Sequence, residues 1–348
     1  MKKCPEISVI LPVYNMERYL EQCLDSLLTQ SFNDIEIICI NDGSKDNSLG
    51  ILNDYAKKDQ RVIVINQENK GAASARNIGL DYARGKYLSI LDADDFYDRD
   101  MLLKAYLKAE GTEADIVIYR CNDYNDQTEE TTPNKWSIID RLIPGEIFSV
   151  QEVSECVFQF CVGWAWDKLF NRAFIEINHL RFQNTKIHND AFFVFVSLSN
   201  ASRIVVMNDV LITKRRAVNT SISSTSNIST YWKDLFIFID TLDDYLTSHH
   251  IKTVFERSFY NLALHLAINR YNSNLSKKSK KAMKKYLRKV FFPKYQFRKK
   301  GIGYYYNKNE YNAMISILSL SFMLAALRFL MANGFIATMK KIRTKLFH

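Results

Sequence analysis

Hydrophobic residues come in short bursts through the first hundred positions, and each burst ends in a polar cluster. Residues 7–11 form a largely apolar run closed by Pro12. Leu20, Cys23, Leu24, Leu27 and Leu28 then recur three and four apart, the spacing of one helix face. Residues 35–40 are a second run, ended by Asn41-Asp42-Gly43, and a helix is expected from about 48 to 58. A third strand is expected over 62–65, a helix over 71–82 and a fourth strand over 87–91. Strands alternating with helices predict an α/β fold with a mostly parallel central sheet flanked by helices. Ligands in such sheets sit beyond the carboxyl ends of the strands. The polar clusters fall at those ends: Tyr14-Asn15, then residues 41–44, 69–77 and 92–95.

The pattern changes near residue 231. Helices are expected over 232–246 and 254–269, so the chain divides into a domain of residues 1–230 and a helical, basic C-terminal extension of residues 231–348. Charge divides nearby. Residues 1–256 carry 27 basic and 37 acidic side chains; residues 257–348 carry 20 basic ones and a single acid, Glu310. Residues 277–300 hold 12 Lys and Arg interleaved with Tyr286, Phe291, Phe292, Tyr295 and Phe297. An uncharged run over 311–327 follows, then Arg328, more apolar residues to Met339, and a basic end at 340–345. A spanning helix needs about 20 predominantly apolar residues. This run is short for that and contains Asn312, Ser316, Ser319 and Ser321. A helix lying in the membrane interface between basic flanks fits better, with a buried helix or a true span as the alternatives. Nucleic acid is not expected as a partner, since the basic run matches no recognised binding motif. The six cysteines form no CxxC pair and read as free thiols of a reducing compartment. The strand pattern begins without a signal-peptide apolar region. The expected location is cytoplasmic, peripheral on the inner face of the cell membrane.

Three carboxylates, Asp92, Asp94 and Asp95, crowd four positions after the fourth strand. They repel one another unless a positive charge lies between them. A hard divalent cation with oxygen ligands would supply it, and would stabilise a leaving diphosphate; a solvated acidic turn is the alternative. Asp42, after the second strand, is placed to accept hydrogen bonds from a base or ribose, or to serve as a turn residue. Arg76 lies at the start of a helix among small residues, where anions are favoured and backbones approach closely. The chain has no GxxxxGKS loop, no GxGxxG and no HExxH, which argues against a P-loop NTPase, a dinucleotide dehydrogenase and a zinc protease.

Taken in order, Pro12-Val13-Tyr14-Asn15, Asn41-Asp42-Gly43-Ser44-Lys45-Asp46, Asn69-Lys70-Gly71 with Ala75-Arg76-Asn77, and Asp92-Ala93-Asp94-Asp95 resemble glycosyltransferase family 2. The resemblance covers about the first 100 residues. It implies a GT-A fold, a nucleotide-sugar donor (a UDP-sugar first), manganese or magnesium, and inversion at the anomeric carbon. By position it implies that Asp42 contacts the base with Pro12, Tyr14 and Asn15 beside it. Asp92 would lie near the ribose and diphosphate, Asp94 would bind the metal, Asp95 would help hold the donor site, and Arg76 would lie close to the donor pocket.

An inverting transfer also needs a base for the acceptor hydroxyl. His188-Asn189-Asp190-Ala191-Phe192-Phe193 resembles the family's Glu-Asp pair ahead of an aromatic, with Asp190 as base and Asn189 in place of the usual glutamate. Asp190 as a helix N-cap is the structural alternative. Trp164-Ala165-Trp166-Asp167-Lys168-Leu169-Phe170 resembles the family's segment near the acceptor, which implies roles there for Trp166 and Lys168; core packing is the alternative for these aromatics. Thr213-Lys214-Arg215-Arg216, followed by residues 219–223, resembles its basic loop without the usual Tyr. Arg215 or Arg216 would reach the diphosphate or lie in a solvent-facing turn. The expected function is an inverting glycosyltransferase acting on a glycan or lipid-linked acceptor in surface polysaccharide synthesis. A nucleotidyltransferase on sugar phosphates and a non-catalytic nucleotide-sugar-binding subunit are the alternatives.

Overall fold

The computed structural model describes residues 4–216 and 229–319. The chain divides into two compact units, Met1–Asn227 with Lys233–Ser258, and Ile228–Trp232 with Phe259–His348. The first unit opens with β1 (Ile7–Val13), α1 (Leu20–Leu28), β2 (Ile35–Asp42), α2 (Ser48–Lys58), β3 (Val62–Gln67), α3 (Ala72–Tyr82) and β4 (Tyr87–Ile90). It continues through β5 (Phe96–Tyr97), α4 (Met101–Thr112), β6 (Ile116–Asn125), β7 (Thr131–Pro133), β8 (Ile147–Phe148), β9 (Lys168–Asn171), α5 (Arg172–Ile177), α6 (Asn189–Asn200), β10 (Ile204–Arg216) and α7 (Asp234–Ser248).

The main path of the sheet runs β3-β2-β1-β4-β9-β6-β10-β5. β3, β2, β1 and β4 are mutually parallel, as the alternating pattern predicts. Beyond them the sheet is mixed: β9 is antiparallel to both β4 and β6, while β6 and β10 run parallel. Every position of β2 is buried, so the strand is a nearly continuous apolar run rather than an alternating one. α1 turns Leu20, Cys23, Leu24 and Leu27 into the same core. Gly79 lets α3 lie close on the sheet, since a Cβ there would come within 2.2 Å of Ile10 Cγ2.

Pro12 marks where the site opens. The last β1–β4 pair is Ile10 with Ile90, and the Leu91 N–H donates to the Ile10 carbonyl. Alternate strand residues point their backbone groups to the same neighbour. Pro12 therefore faces the β4 side just past the end of β4, where its missing N–H breaks no ladder bond.

The division of units differs by one helix from the boundary at 230/231 that the sequence predicts. α7 belongs to the first unit because its apolar side, including Leu235, Phe238, Ile239, Leu242 and Leu246, is buried. It is tied there by polar contacts too: Lys186 N donates to Asp234 Oδ2 at 2.9 Å, and Gln183 Nε2 to Thr241 Oγ1 at 2.7 Å. A long helix, α8 (Lys252–Asn272), follows; its residues from Phe259 onward belong to the second unit. That unit has an aromatic core around Phe259, Phe291, Tyr295 and Phe297 and a basic helix, α9 (Lys277–Tyr286). Among the described residues no helix is long and apolar enough to cross a membrane. Residues 308–319 are helical. The rest of the apolar run, the basic end and the 219–223 loop lie outside the described residues.

Candidate active site

The loops after β1 and β2 are locked together. Asn15 adopts φ 55°, its backbone N–H donates to Ser44 Oγ at 3.1 Å, and its side-chain oxygen accepts from Lys45 N at 2.8 Å. Asp46 Oδ2 accepts from Glu17 N, and Glu17 in turn accepts from Asn47 N. Asn15 thus holds the loop geometry, while the Tyr14 ring stands 42% exposed beside it. Asp42 is buried and organises the next loop. Its Oδ1 accepts from Gln67 Nε2 at 2.5 Å and Lys70 N at 2.8 Å, and its Oδ2 accepts from Gly71 N at 2.8 Å. A carboxylate has about four acceptor positions, so three protein donors leave room for one more. Gly43 is required at this junction: its φ is +69°, and a Cβ would lie 2.8 Å from the Asn69 nitrogen.

After β4 the chain turns through Asp92, Asp94 and Asp95, which can offer carboxylate oxygens all within 4.8 Å of one another. β5 pairs with β10 immediately afterwards, and Asp95 is fixed by accepting from Arg215 N at 2.8 Å. Burial, reinforced by Asp92, pushes the Asp94 carboxyl up to about 6, against partial opposition from Lys214 and Arg215. Burial and then Asp94 push Asp95 well above its ordinary value. Three carboxylates gathered at this spacing, with Asp94 and Asp95 held above their normal range, fit a hard divalent cation with oxygen ligands.

Arg76 joins this cluster to α6. It is buried, donates from Nη2 to Asp92 Oδ1 at 2.8 Å and from Nη1 to Asn189 Oδ1 at 2.6 Å, and stacks over Phe182. Asp190, in the first turn of α6, keeps some exposure. Its carboxyl is raised chiefly by burial and also by Asp92; Arg76 and the Ala191 N–H, at 2.9 Å from Oδ1, pull it back. Asp190 is therefore a more basic carboxylate than usual, reachable from outside, and electrostatically coupled to the acidic cluster. Asn189 is neutral, so it accepts from Arg76 without neutralising the guanidinium.

The residues with an implied role at the acceptor or diphosphate separate clearly. Lys168 is fully buried, and its ammonium donates to the carbonyls of Val162 and Trp164 and to Asp167. It does not reach a ligand, because the turn before β9 uses it as an internal anchor. Trp166 is 2% exposed, beneath Trp164 at 4.7 Å between ring centroids; it too is packing. Arg215 is enclosed by Tyr19, Phe96 and Tyr124, and its guanidinium bonds Asp126 and Gln22. It clamps the loops rather than facing the diphosphate. Arg216 lies over Trp136 and bonds Asp123 through Nε at 2.8 Å, with its side chain 38% exposed.

Lys214 is the residue that sequence reasoning passed over. Its ammonium sits 4.7 Å from the Trp164 ring and 4.5 Å from the Trp166 ring, and makes no ion pair among the described residues. It acts on both Asp94 and Asp190. The signal was strand alternation: in β10, Lys214 and Arg216 lie on one face and Arg215 on the other, so Arg215 and its neighbours cannot share a role.

A parallel half-sheet, an acidic turn after its fourth strand and a raised carboxylate on a following helix fit an α/β fold of the GT-A type. Staphylococcus aureus TarS in complex with UDP-GlcNAc shares it, with a TM-score of 0.63 at 20% identity over 81% of this chain and 79% of that one. A family model described as Glycosyl transferase family 2 matches residues 8–179. GlyG, a glycosyltransferase of Streptococcus pneumoniae, is 34% identical over 60% of this chain and 70% of its own length. The uncharacterized glycosyltransferase EpsJ of Bacillus subtilis is 33% identical over 62% of this chain, and the match spans only 62% of EpsJ. The chain belongs to glycosyltransferase family 2.

Proposed function

We propose that the chain is an inverting glycosyltransferase that moves a sugar from a nucleoside-diphosphate donor, a UDP-sugar first, to a hydroxyl of a glycan or lipid-linked acceptor of a surface polysaccharide. The observation that carries this reading is the Arg76 bridge, which ties the acidic cluster at Asp92 to the helix that bears Asp190. Asp190 takes the proton of the acceptor hydroxyl as its oxygen attacks the anomeric carbon. The sugar–phosphate C–O bond breaks on the opposite side, and the nucleoside diphosphate leaves with that electron pair. Asp94, with Asp92 and Asp95, would hold manganese or magnesium, which when bound stabilises charge on the departing diphosphate. Asp42 offers its remaining acceptor position to the base, and Tyr14 offers a ring face next to it. The buried Arg76 positions Asp190 through Asn189 and opposes the upward pull of burial on its carboxyl.

The inner membrane face is part of the same reading. In α9, Lys277, Lys278, Lys281 and Lys285 are exposed along one side while Met283 is buried. A row of ammonium groups of this kind favours an anionic lipid surface.

The test is release of nucleoside diphosphate from UDP-, GDP- and dTDP-sugars with manganese, in wild type and Asp94→Ala. Release from one donor, abolished by the substitution, supports the transferase and names the donor class. Pyrophosphate release would point to nucleotidyl transfer instead. Silence on every donor, with no manganese-dependent nucleotide binding, would defeat the reading.

A further inference from the structure

Trp136, Trp164 and Trp166 are joined in one run of ring contacts. Trp166 is buried and stacks on Trp164. Trp164 meets Trp136 edge-on at 4.9 Å between centroids and 73°. Trp136 itself, from the segment after β7, is 51% exposed. The run of rings thus leads from the core to the surface, with half of the outermost indole in water and able to stack on a ligand.

The stack is flanked by cations on its ring faces. Lys214 covers Trp164 and Trp166, and the Arg216 guanidinium lies 5.4 Å from the Trp136 centroid. Arg216 is oriented by its Nε bond to Asp123, which is itself held by the Asn134 amide at 3.2 and 3.3 Å. The terminal amino groups of Arg216 have no partner among the described residues, so an oriented guanidinium edge is presented beside an exposed indole. The backbone N–H of Arg215, which lies between Lys214 and Arg216 in β10, donates to Asp95 Oδ1 at 2.8 Å. The strand that carries both cations is therefore joined to the acidic turn.

We propose that Trp136, Arg216 and Lys214 form an acceptor subsite for a glycan that carries an anionic group, a phosphodiester or a uronate, next to a ring or carbon chain that stacks on Trp136. The proposal rests on the transferase reading and adds the charge of the acceptor. The apolar face of a sugar or polyol covers the indole, while the anion accepts from the terminal amino groups of Arg216. Lys214 supplies the second positive charge between that anion and the reacting hydroxyl. Asp123 neutralises only part of this field, so a neutral glycan would gain the stacking and forgo the ion contacts.

Three probes test it by titration followed with saturation-transfer NMR: a ribitol-phosphate octamer, a hyaluronan hexasaccharide and neutral cellohexaose. The wild-type chain should bind at least one anionic probe about tenfold more tightly than cellohexaose, the size expected of one oriented charge-assisted contact. Whichever anionic probe leads names the source of the charge. Trp136→Ala should weaken that probe by about tenfold, with a melting temperature close to wild type because the ring is half exposed. Arg216→Gln should reduce the preference for the anionic probe to within about twofold while retaining cellohexaose binding. Equal binding of charged and neutral probes, unchanged binding in Trp136→Ala, or no binding of any probe would overturn the subsite. Donor hydrolysis by the wild-type chain is measured in parallel; its absence defeats the transferase reading itself, separately from the platform.

Discussion

Asp94→Asn should stabilise the metal-free protein at neutral pH and destabilise it, relative to wild type, once manganese is added. The substitution keeps the shape of the side chain and removes one of three crowded carboxylates. The Asp94 carboxyl is pushed from 3.8 up to about 6, by burial first and by Asp92 second. A raised folded-state pKa means that the folded chain holds more protons than the unfolded one between those two values. Stability from this group therefore falls as pH rises from about 4 through 6, and the full penalty is present above that. A shift of about two units corresponds to about 3 kcal/mol. Asp94 keeps some exposure and shares its proton affinity with its neighbours, so about 1–3 kcal/mol is the working range. For a unit of this size that is a rise of roughly 2–10 °C in melting temperature for the Asn variant in EDTA at pH 7.5. At pH 5 the difference between the two proteins should shrink, because the wild-type carboxyl is then mostly protonated. With millimolar manganese the wild type should gain stability by mass action, and the variant should gain little. Melting curves at pH 5 and 7.5, each with EDTA and with manganese, give the four numbers needed. A variant less stable than wild type in EDTA at pH 7.5 would refute the electrostatic account of the cluster. Equal stabilisation of both proteins by manganese would refute Asp94 as a ligand.

Other substitutions separate the internal anchors from the ligand-facing groups. Lys168→Met leaves Asp167 buried without its partner and should cost about 3–5 kcal/mol in chemical denaturation. Arg215→Met breaks the enclosed contact with Asp126 and should cost about 3 kcal/mol, whereas Lys214→Met on the opposite face of the same strand should stay within about 1 kcal/mol. Arg76→Gln removes the guanidinium that pulls Asp190 down, so the rising limb of the pH–rate profile should move to higher pH; an unmoved limb would disconnect Asp190 from that limb. Asp190→Asn should lower the rate of sugar transfer by about 10²–10⁴-fold with little change in donor binding, the signature of a lost general base.

Most of the parallel half of the sheet was legible because β1, β2 and β4 are buried on both faces and read as nearly unbroken apolar runs. The loops at their ends were legible because Pro12, Gly43 and the three aspartates each have a narrow set of structural uses. The second half of the sheet was harder for a physical reason. β9 is only four residues long and starts on Lys168, a residue whose type signals solvent or ligand. Its burial depends on two carbonyls and a carboxylate that come together only in the folded turn. Arg215 misled in the same way: a cation in a basic segment looks like an anion site, and only tertiary contacts reveal Asp126, Gln22 and three aromatic rings around it. Asp190 and Arg76 each stood out in the sequence, yet the link between them through Asn189 did not, since it joins positions more than a hundred residues apart.

That link also bears on Asn189, which stands where the family resemblance implies a glutamate. A glutamate at 189 would add a carboxylate beside Arg76, which already pairs with Asp92, and would draw its charge away from Asp190. The neutral amide accepts the same hydrogen bond at 2.6 Å and leaves the guanidinium's field for the two aspartates. Asn189→Glu should therefore raise the apparent pKa of the base, in the same direction as Arg76→Gln but by less, because the guanidinium remains. A profile shifted to lower pH would show instead that the added carboxylate orders Arg76 more than it competes for it, and would reverse the role assigned to the amide.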